Sequence, residues 1–269
     1  MKKLKKMADL SITTVQTNIS WEDKESNLKM LEEKIVSLQQ KTQIVVLPEM
    51  FNTGFSMNTT ALAEDMNGPT IQWMKRISKE NNIILTGSII IKEDNVFYNR
   101  LIWMMPNQQM GFYDKRHLFG FAKEDQFYER GDKRLITSVN GWKINLQICY
   151  DLRFPVWARQ QSNETSIAEY DILINVANWP EKRNHAWETL LMARAIENQC
   201  YVIGVNRVGK DANNQNYIGN SCIINPLGET LYKKSEEEDI HHTIFKKDDL
   251  LNIRSSYPFL RDRDHFMIH

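Results

Sequence analysis

The chain has 269 residues, 42% hydrophobic and 25% charged, enough apolar material for a sizeable core without disulfide or metal staples. Lysine plus arginine and aspartate plus glutamate balance at 34 each, which excludes a general electrostatic attraction to nucleic acid or anionic lipid. The three cysteines, Cys149, Cys200 and Cys222, include no close pair, which argues against a disulfide framework and against a Cys-based zinc site.

The chain begins with a basic run, Lys2, Lys3, Lys5 and Lys6, that no apolar signal core follows; it reads as a frayed, solvated end. Leu10–Val15 reads as a strand, and Lys24–Gln40 as a helix with Leu28, Leu31, Ile35 and Leu38 on one face. Ile44–Leu47 is a buried strand ending at Pro48, and Pro69 suits the start of a helix over Thr70–Glu80. Two strands, Ile83–Ile91 and Tyr98–Met105, flank a charged turn, and a turn from Pro106 to Gly111 leads toward Lys115. Trp142–Ile148 is a strand with Cys149 at its end, followed by a helix over Phe154–Gln161. Then come a strand at Asp171–Asn175, a helix at Ala186–Asn198 and strands at Tyr201–Val205 and Ser221–Ile224. A turn through Pro226 and Gly228 leads into Thr230–Tyr232. Short turns join many strands, so the pattern suggests two mixed sheets packed face to face with helices outside, all in one domain of residues 1–269. No apolar stretch approaches the roughly 20 residues that span a bilayer. Free thiols and the lack of a leader lead us to expect a cytoplasmic protein with no nucleic-acid or membrane partner.

Three polar residues stand at the ends of apolar strands or just beyond them: Glu49, Lys115 and Cys149. Loops on a rigid sheet are where catalytic groups usually sit. Taken singly, each has a plain structural explanation. The cysteine would be a small buried hydrophobe, the glutamate a cap or surface ion-pair partner, and the lysine a solvated charge.

Together, their contexts resemble the nitrilase superfamily, the carbon–nitrogen hydrolases with a Glu–Lys–Cys triad. The segments Leu47-Pro48-Glu49-Met50-Phe51, Tyr113-Asp114-Lys115-Arg116-His117 and Ile148-Cys149-Tyr150-Asp151-Leu152-Arg153 are similar to those carrying the three triad residues. Asn178-Trp179-Pro180, Ala193-Arg194-Ala195-Ile196-Glu197-Asn198 and Asn206-Arg207-Val208-Gly209 agree in order, so the resemblance covers nearly the whole chain. It implies a four-layer α-β-β-α sandwich of two mixed sheets with outer helices, a homodimer, and no metal or organic cofactor. It also implies a second glutamate after the lysine, for which Glu124 fits best and Glu129 competes. Within the superfamily the chain looks most like the omega-amidases, which hydrolyse the terminal amide of 2-oxo acids such as 2-oxoglutaramate and 2-oxosuccinamate.

These residue types suit the chemistry. An amide carbonyl is a poor electrophile, so the thiol of Cys149 needs a base within reach, and Glu49 follows an apolar run that favours burial. Lys115 and the backbone N–H of Tyr150 are candidates to hold the oxyanion. A substrate carboxylate calls for a guanidinium, from Arg153 or Arg116, although Arg153 has Asp151 nearby as an alternative partner. Trp179, Phe51 and Tyr150 are candidate pocket walls. Three other readings stay open: a nitrile- or N-carbamoyl-hydrolysing relative, a non-catalytic binding protein on the same fold, and a Cys–His protease drawing on His117, His185, His241, His242, His265 or His269.

Overall fold

Asp94 and Asn95 hold φ of 50° and 64°, the left-handed pair that closes a two-residue hairpin, and they set the longest antiparallel pairing in the molecule. The computed structural model describes residues 8–161 and 168–268; the basic run at Lys2–Lys6 lies outside them. In chain order the elements begin β1 (Leu10–Gln16), α1 (Lys24–Val36), β2 (Ile44–Val46), α2 (Thr59–Leu62), α3 (Pro69–Asn81), β3 (Ile84–Glu93), β4 (Val96–Met104) and β5 (Met110–Asp114). They continue with β6 (Leu135–Val139), β7 (Trp142–Ile148), α4 (Pro155–Ala158), β8 (Ile172–Val176), α5 (Asn184–Asn198) and β9 (Tyr201–Val205). The last are β10 (Val208–Lys210), β11 (Asn216–Ile224), β12 (Thr230–Ser235), β13 (Asp239–Phe245) and α6 (Lys247–Ser256).

The strands form two mixed sheets. The first runs β13-β1-β2-β3-β4-β5, and the second β10-β11-β9-β8-β7-β6, with β12 pairing β11. Ile12, Ile44, Val46 and Leu101 of the first sheet share one buried cluster with Ile144, Leu146 and Ile174 of the second. On the outer face of the first sheet, Leu31, Ile35, Ile71 and Met74 of α1 and α3 close over Val45, Leu85 and Ile102. Helix α5 covers the second sheet. The result is the α-β-β-α sandwich expected from the sequence, each layer burying one apolar face.

The differences from the expected elements have local causes. Helix α1 stops at Val36 because the Ser37 hydroxyl donates to the Lys34 carbonyl at 2.9 Å and closes the last turn. The helix expected over Phe154–Gln161 shrinks to the single turn of α4. Arg159 is extended, and Gln160 bonds instead to α5, its N–H donating to Asn198 Oδ1 at 2.9 Å. The turn from Pro106 to Gly111 ends in β5, a strand that pairs with β4 through Gly111 and leads straight into Lys115.

Gly204 on β9 lets α5 approach. A Cβ there would stand 2.6 Å from Leu191 Cδ1 and 2.8 Å from Trp187 Cζ2. Gly204→Ala should therefore lower the denaturant midpoint by an equivalent of about 1–3 kcal/mol, the usual cost of overpacking. A midpoint unchanged from wild type would show that α5 adjusts freely.

Candidate active site

Each of the three singled-out residues is set by the backbone around it. Glu49 follows β2 and Pro48, and the next residue, Met50, takes φ of 44°. That turn is pinned where Met50 N donates to Ser88 Oγ at 2.9 Å and Phe51 N to Ser88 O at 3.2 Å. Lys115 follows β5; its N–H donates to Asn99 O and its carbonyl accepts from Gly131 N, both at 3.0 Å. A Cβ on Gly131 would lie 2.2 Å from the Asp114 carbonyl oxygen, so only glycine permits this approach. Cys149 opens a tight turn after β7 with φ of 44°, a left-handed conformation that costs about 1 kcal/mol in a residue with a side chain. The turn takes the thiol out of the strand and into a cavity.

Asp151 joins two of these segments. Its carboxylate accepts from the Tyr113 hydroxyl at 2.7 Å, from His117 N and Ile148 N at 3.0 Å, and lies 2.8 Å from His117 Nδ1.

Glu49, Lys115 and Glu124 are fully buried and meet at the lysine. Lys115 Nζ donates to Glu49 Oε1 at 2.8 Å and to Glu124 Oε1 and Oε2 at 3.0 and 2.9 Å. Asn99 Nδ2 bridges the two carboxylates, donating to Glu49 Oε1 at 2.8 Å and Glu124 Oε1 at 3.2 Å. Asn178 N donates to Glu49 Oε2 at 2.7 Å, and Phe119 N to Glu124 Oε2 at 2.6 Å. Of the two glutamates left open by the sequence, Glu124 is the one in this network. Glu129 is exposed.

Burial pushes the Cys149 thiol well above its ordinary pKa. The charge of Glu49 pushes it further, and Lys115 opposes. Burial disfavours the Lys115 ammonium, but Glu124 and Glu49 outweigh that and hold it charged, well above the usual lysine value. Glu124 is raised by burial, pulled down by Lys115 and raised again by Glu49. The resting sulfur is thus a protonated thiol beside a carboxylate, and its proton leaves only as the sulfur attacks.

The cavity over the thiol measures about 490 Å³, and its lining includes Tyr150, Arg153, Trp179, Arg183 and Phe119. Of the residues the sequence offered for the substrate, Tyr150, Arg153 and Trp179 line this cavity. Phe51 and Arg116 do not. Phe51 is fully buried in the outer core of the first sheet, 6.0 Å from Trp73, because the left-handed turn at Met50 lays its ring over Gly87. Arg116 is bonded to Gly131 O at 3.1 Å and stacked on Trp157 at 5.3 Å; successive side chains of an extended chain point opposite ways, and Lys115 takes the inward one. Arg153 makes no ion pair with Asp151, whose oxygens are taken by the donors above. It lies 5.1 Å over the Trp179 ring.

The sequence reading missed Asn99, Asn178 as a ligand of Glu49, and Arg183. Asn99 was readable, with Arg100 beside it, as a polar interruption of a strand whose other residues are apolar or aromatic, whereas Arg183 was hidden in the charged run Glu181-Lys182-Arg183. Among the described residues no histidine lines the cavity: His117 is stacked on Phe154 at 3.7 Å, and His185 is exposed. Among the described residues no group of three or more His, Cys, Asp or Glu is placed to hold a metal ion.

The model of the carbon–nitrogen hydrolases matches residues 11–245. The chain belongs to the carbon–nitrogen hydrolase family. Among similar members, omega-amidase YafV of Yersinia enterocolitica is 38% identical over 97% of this chain and 100% of its own length. The 2-oxoglutaramate amidase of Bacillus subtilis is 31% identical over 94% and 96%. A carbon–nitrogen hydrolase superfamily protein from Xanthomonas campestris, whose structure holds an arsenic adduct in the active site, superposes with a TM-score of 0.95 at 39% identity, over 98% of this chain and all of that one (100%).

Two outcomes test this arrangement. Iodoacetamide should label Cys149 ahead of Cys200 and Cys222, and Glu49→Gln should slow that labelling at least about tenfold at pH 7 by removing the proton acceptor. Equal labelling of the three thiols, read by peptide mass spectrometry, would count against an assisted thiol. Lys115→Met should cost about 3–5 kcal/mol by leaving two buried carboxylates without their cation. Folding raises the Lys115 pKa, so its contribution is complete below the ordinary value of 10.5 and is lost as pH climbs from there through the folded value. On the alkaline side the stability gap between the two proteins should therefore begin to narrow only above that pH.

Proposed function

We propose that the chain is an omega-amidase, a thiol-dependent hydrolase that releases ammonia from the terminal amide of a small 2-oxo acid amide such as 2-oxoglutaramate or 2-oxosuccinamate. One observation carries the reading: a thiol at a cavity, in the field of a fully buried glutamate that is itself bonded to a buried lysine, with an arginine that forms no ion pair among the described residues lining the same cavity. The near-full-length likeness to omega-amidase YafV and to 2-oxoglutaramate amidase supports the choice of amide.

In this reading Glu49 takes the Cys149 proton as the sulfur adds to the amide carbonyl carbon. The Lys115 ammonium and the Tyr150 N–H hold the oxygen that becomes negative. Glu49 then returns the proton to the departing nitrogen, which leaves as ammonia, and a thioester remains on Cys149. Glu124 holds Lys115 in place and, with Glu49, orients the water that attacks the thioester; Glu49 takes the water's proton and gives it back to the sulfur. No cofactor enters this sequence. Tyr150 and Trp179 wall the substrate, and Arg153 is one guanidinium open to its carboxylate.

The protein in this reading works as one domain and as a homodimer in the cytoplasm. Met192 and Ile196 of α5 are exposed and pack beside the Gly228 turn next to exposed Leu227, an apolar face suited to a second copy. Among the described residues no helix is long and apolar enough to cross a membrane.

The test is ammonia release from 2-oxoglutaramate, a simple nitrile and an N-carbamoyl amino acid compared side by side. The 2-oxo acid amide should be turned over fastest, Cys149→Ala should abolish turnover, and Glu49→Gln should lower kcat by about 10²–10⁴. Faster turnover of the nitrile or the carbamoyl compound would move the chain to another branch of the family. Full activity without the thiol would end the reading.

A further inference from the structure

Arg153 and Arg183 line the same cavity as Cys149, and neither guanidinium forms an ion pair among the described residues. The cavity also holds two carboxylates, but both are engaged by neutral donors. Asp211 accepts from the Tyr217 hydroxyl at 2.9 Å and from the N–H groups of Asn213 and Gln215 at 2.8 and 3.0 Å. Glu22 accepts from the Ser56 hydroxyl and from Asn58 Nδ2, the latter at 3.2 Å. The acids are satisfied where they stand, and the two cations are not.

The cations are nevertheless held in place. Arg183 lies 4.8 Å over the Phe119 ring and Arg153 5.1 Å over Trp179. Trp179 fixes both: its ring carries Arg153, and its indole N–H donates to the Arg183 carbonyl at 2.8 Å. Trp179 is itself clamped by Asn206, whose Oδ1 accepts from Trp179 N at 2.8 Å and whose Nδ2 donates to Trp179 O at 2.9 Å. A guanidinium stacked on a ring keeps its N–H edge free for a planar anion. Burial and the charge of Arg153 both weigh against the Arg183 cation, whereas a negative sulfur at Cys149 favours it, so all three groups sense one another across the cavity.

We infer that Arg183, with Arg153 beside it, forms the subsite for the carboxylate at the far end of the substrate, and that this pair makes the site selective for amides that carry an anion. The inference rests on the omega-amidase reading and adds a residue that the sequence did not single out. Two like charges in a half-buried cavity are unfavourable until an anion arrives between them. An uncharged amide of the same length offers no such relief. Binding energy from the non-reacting end of the substrate then positions the amide at the sulfur.

Two measurements test this. The first is the ratio of kcat/KM for 2-oxoglutaramate to that for butyramide, which does not depend on how much of a variant is folded. Arg183→Met should lower the ratio about 100-fold, as loss of a charge-assisted fork predicts. Arg183→Lys should lower it less, because it keeps the charge and loses the fork. An equal loss on both amides would leave the ratio unmoved and overturn the inference. The second is calorimetric binding of glutarate to Cys149→Ala protein, in which no chemistry occurs. Adding Arg183→Met should weaken binding to a similar degree, and unchanged affinity would overturn the inference. If the wild-type enzyme ignored 2-oxoglutaramate while glutarate binding still depended on Arg183, the omega-amidase reading would fall and the anion subsite would stand.

Discussion

The structure depends on one buried ionic cluster. Two carboxylates, Glu49 and Glu124, share a single ammonium, Lys115, where none of the three side chains reaches solvent. Stripping three ions of water costs several kcal/mol each, and the mutual attraction repays this only when the remaining lone pairs are also satisfied. Asn99, Asn178 and the N–H of Phe119 supply those bonds. Burial above all, and then the charge of Glu49 against the counterweight of Lys115, account for a thiol held protonated at rest. Such a sulfur becomes a nucleophile as its proton passes toward Glu49.

The cluster is also where the two sheets meet. Glu49 and Lys115 stand beyond β2 and β5 of the first sheet, while Cys149 and Asn178 stand beyond β7 and β8 of the second. Asn178 grips Glu49 twice, through its N–H to the carboxylate and through Nδ2 to the main-chain carbonyl at 2.6 Å. Asp151 makes the reciprocal link, reaching from the turn after β7 to Tyr113 and His117 on either side of Lys115. Base, cation and nucleophile therefore keep their spacing because side chains from each sheet are locked to backbone of the other.

Much of this was legible in the sequence, for identifiable reasons. β7 and β9 were bounded correctly because their apolar runs start and stop abruptly, whereas Glu49, Lys115 and Cys149 were singled out only by the family resemblance of the segments around them. The strand β13 escaped notice: Asp239, His241 and His242 dilute its pattern, and it is half-buried because it pairs on one side only. Helix α4 was overestimated because Gln160 prefers tertiary bonds to Asn198 that no local pattern announces. Arg116 and Arg153 were equivalent on paper; only the direction of each side chain separates them. Arg183 carried no signal at all within its charged run, since its meaning comes from its bond to Trp179 and from Phe119, which stands far from it in the sequence.

The pairing of β13 with β1 has a consequence for synthesis. The strand that completes the edge of the first sheet runs from Asp239 to Phe245, while its partner begins at Leu10. A nascent chain must therefore expose one side of β1 until Asp239–Phe245 has left the ribosome. An open strand edge of that kind invites pairing with other chains. Those unfinished molecules are where aggregation should start, and a chaperone that shields an early amino-terminal edge would help this enzyme more than one acting on the completed fold.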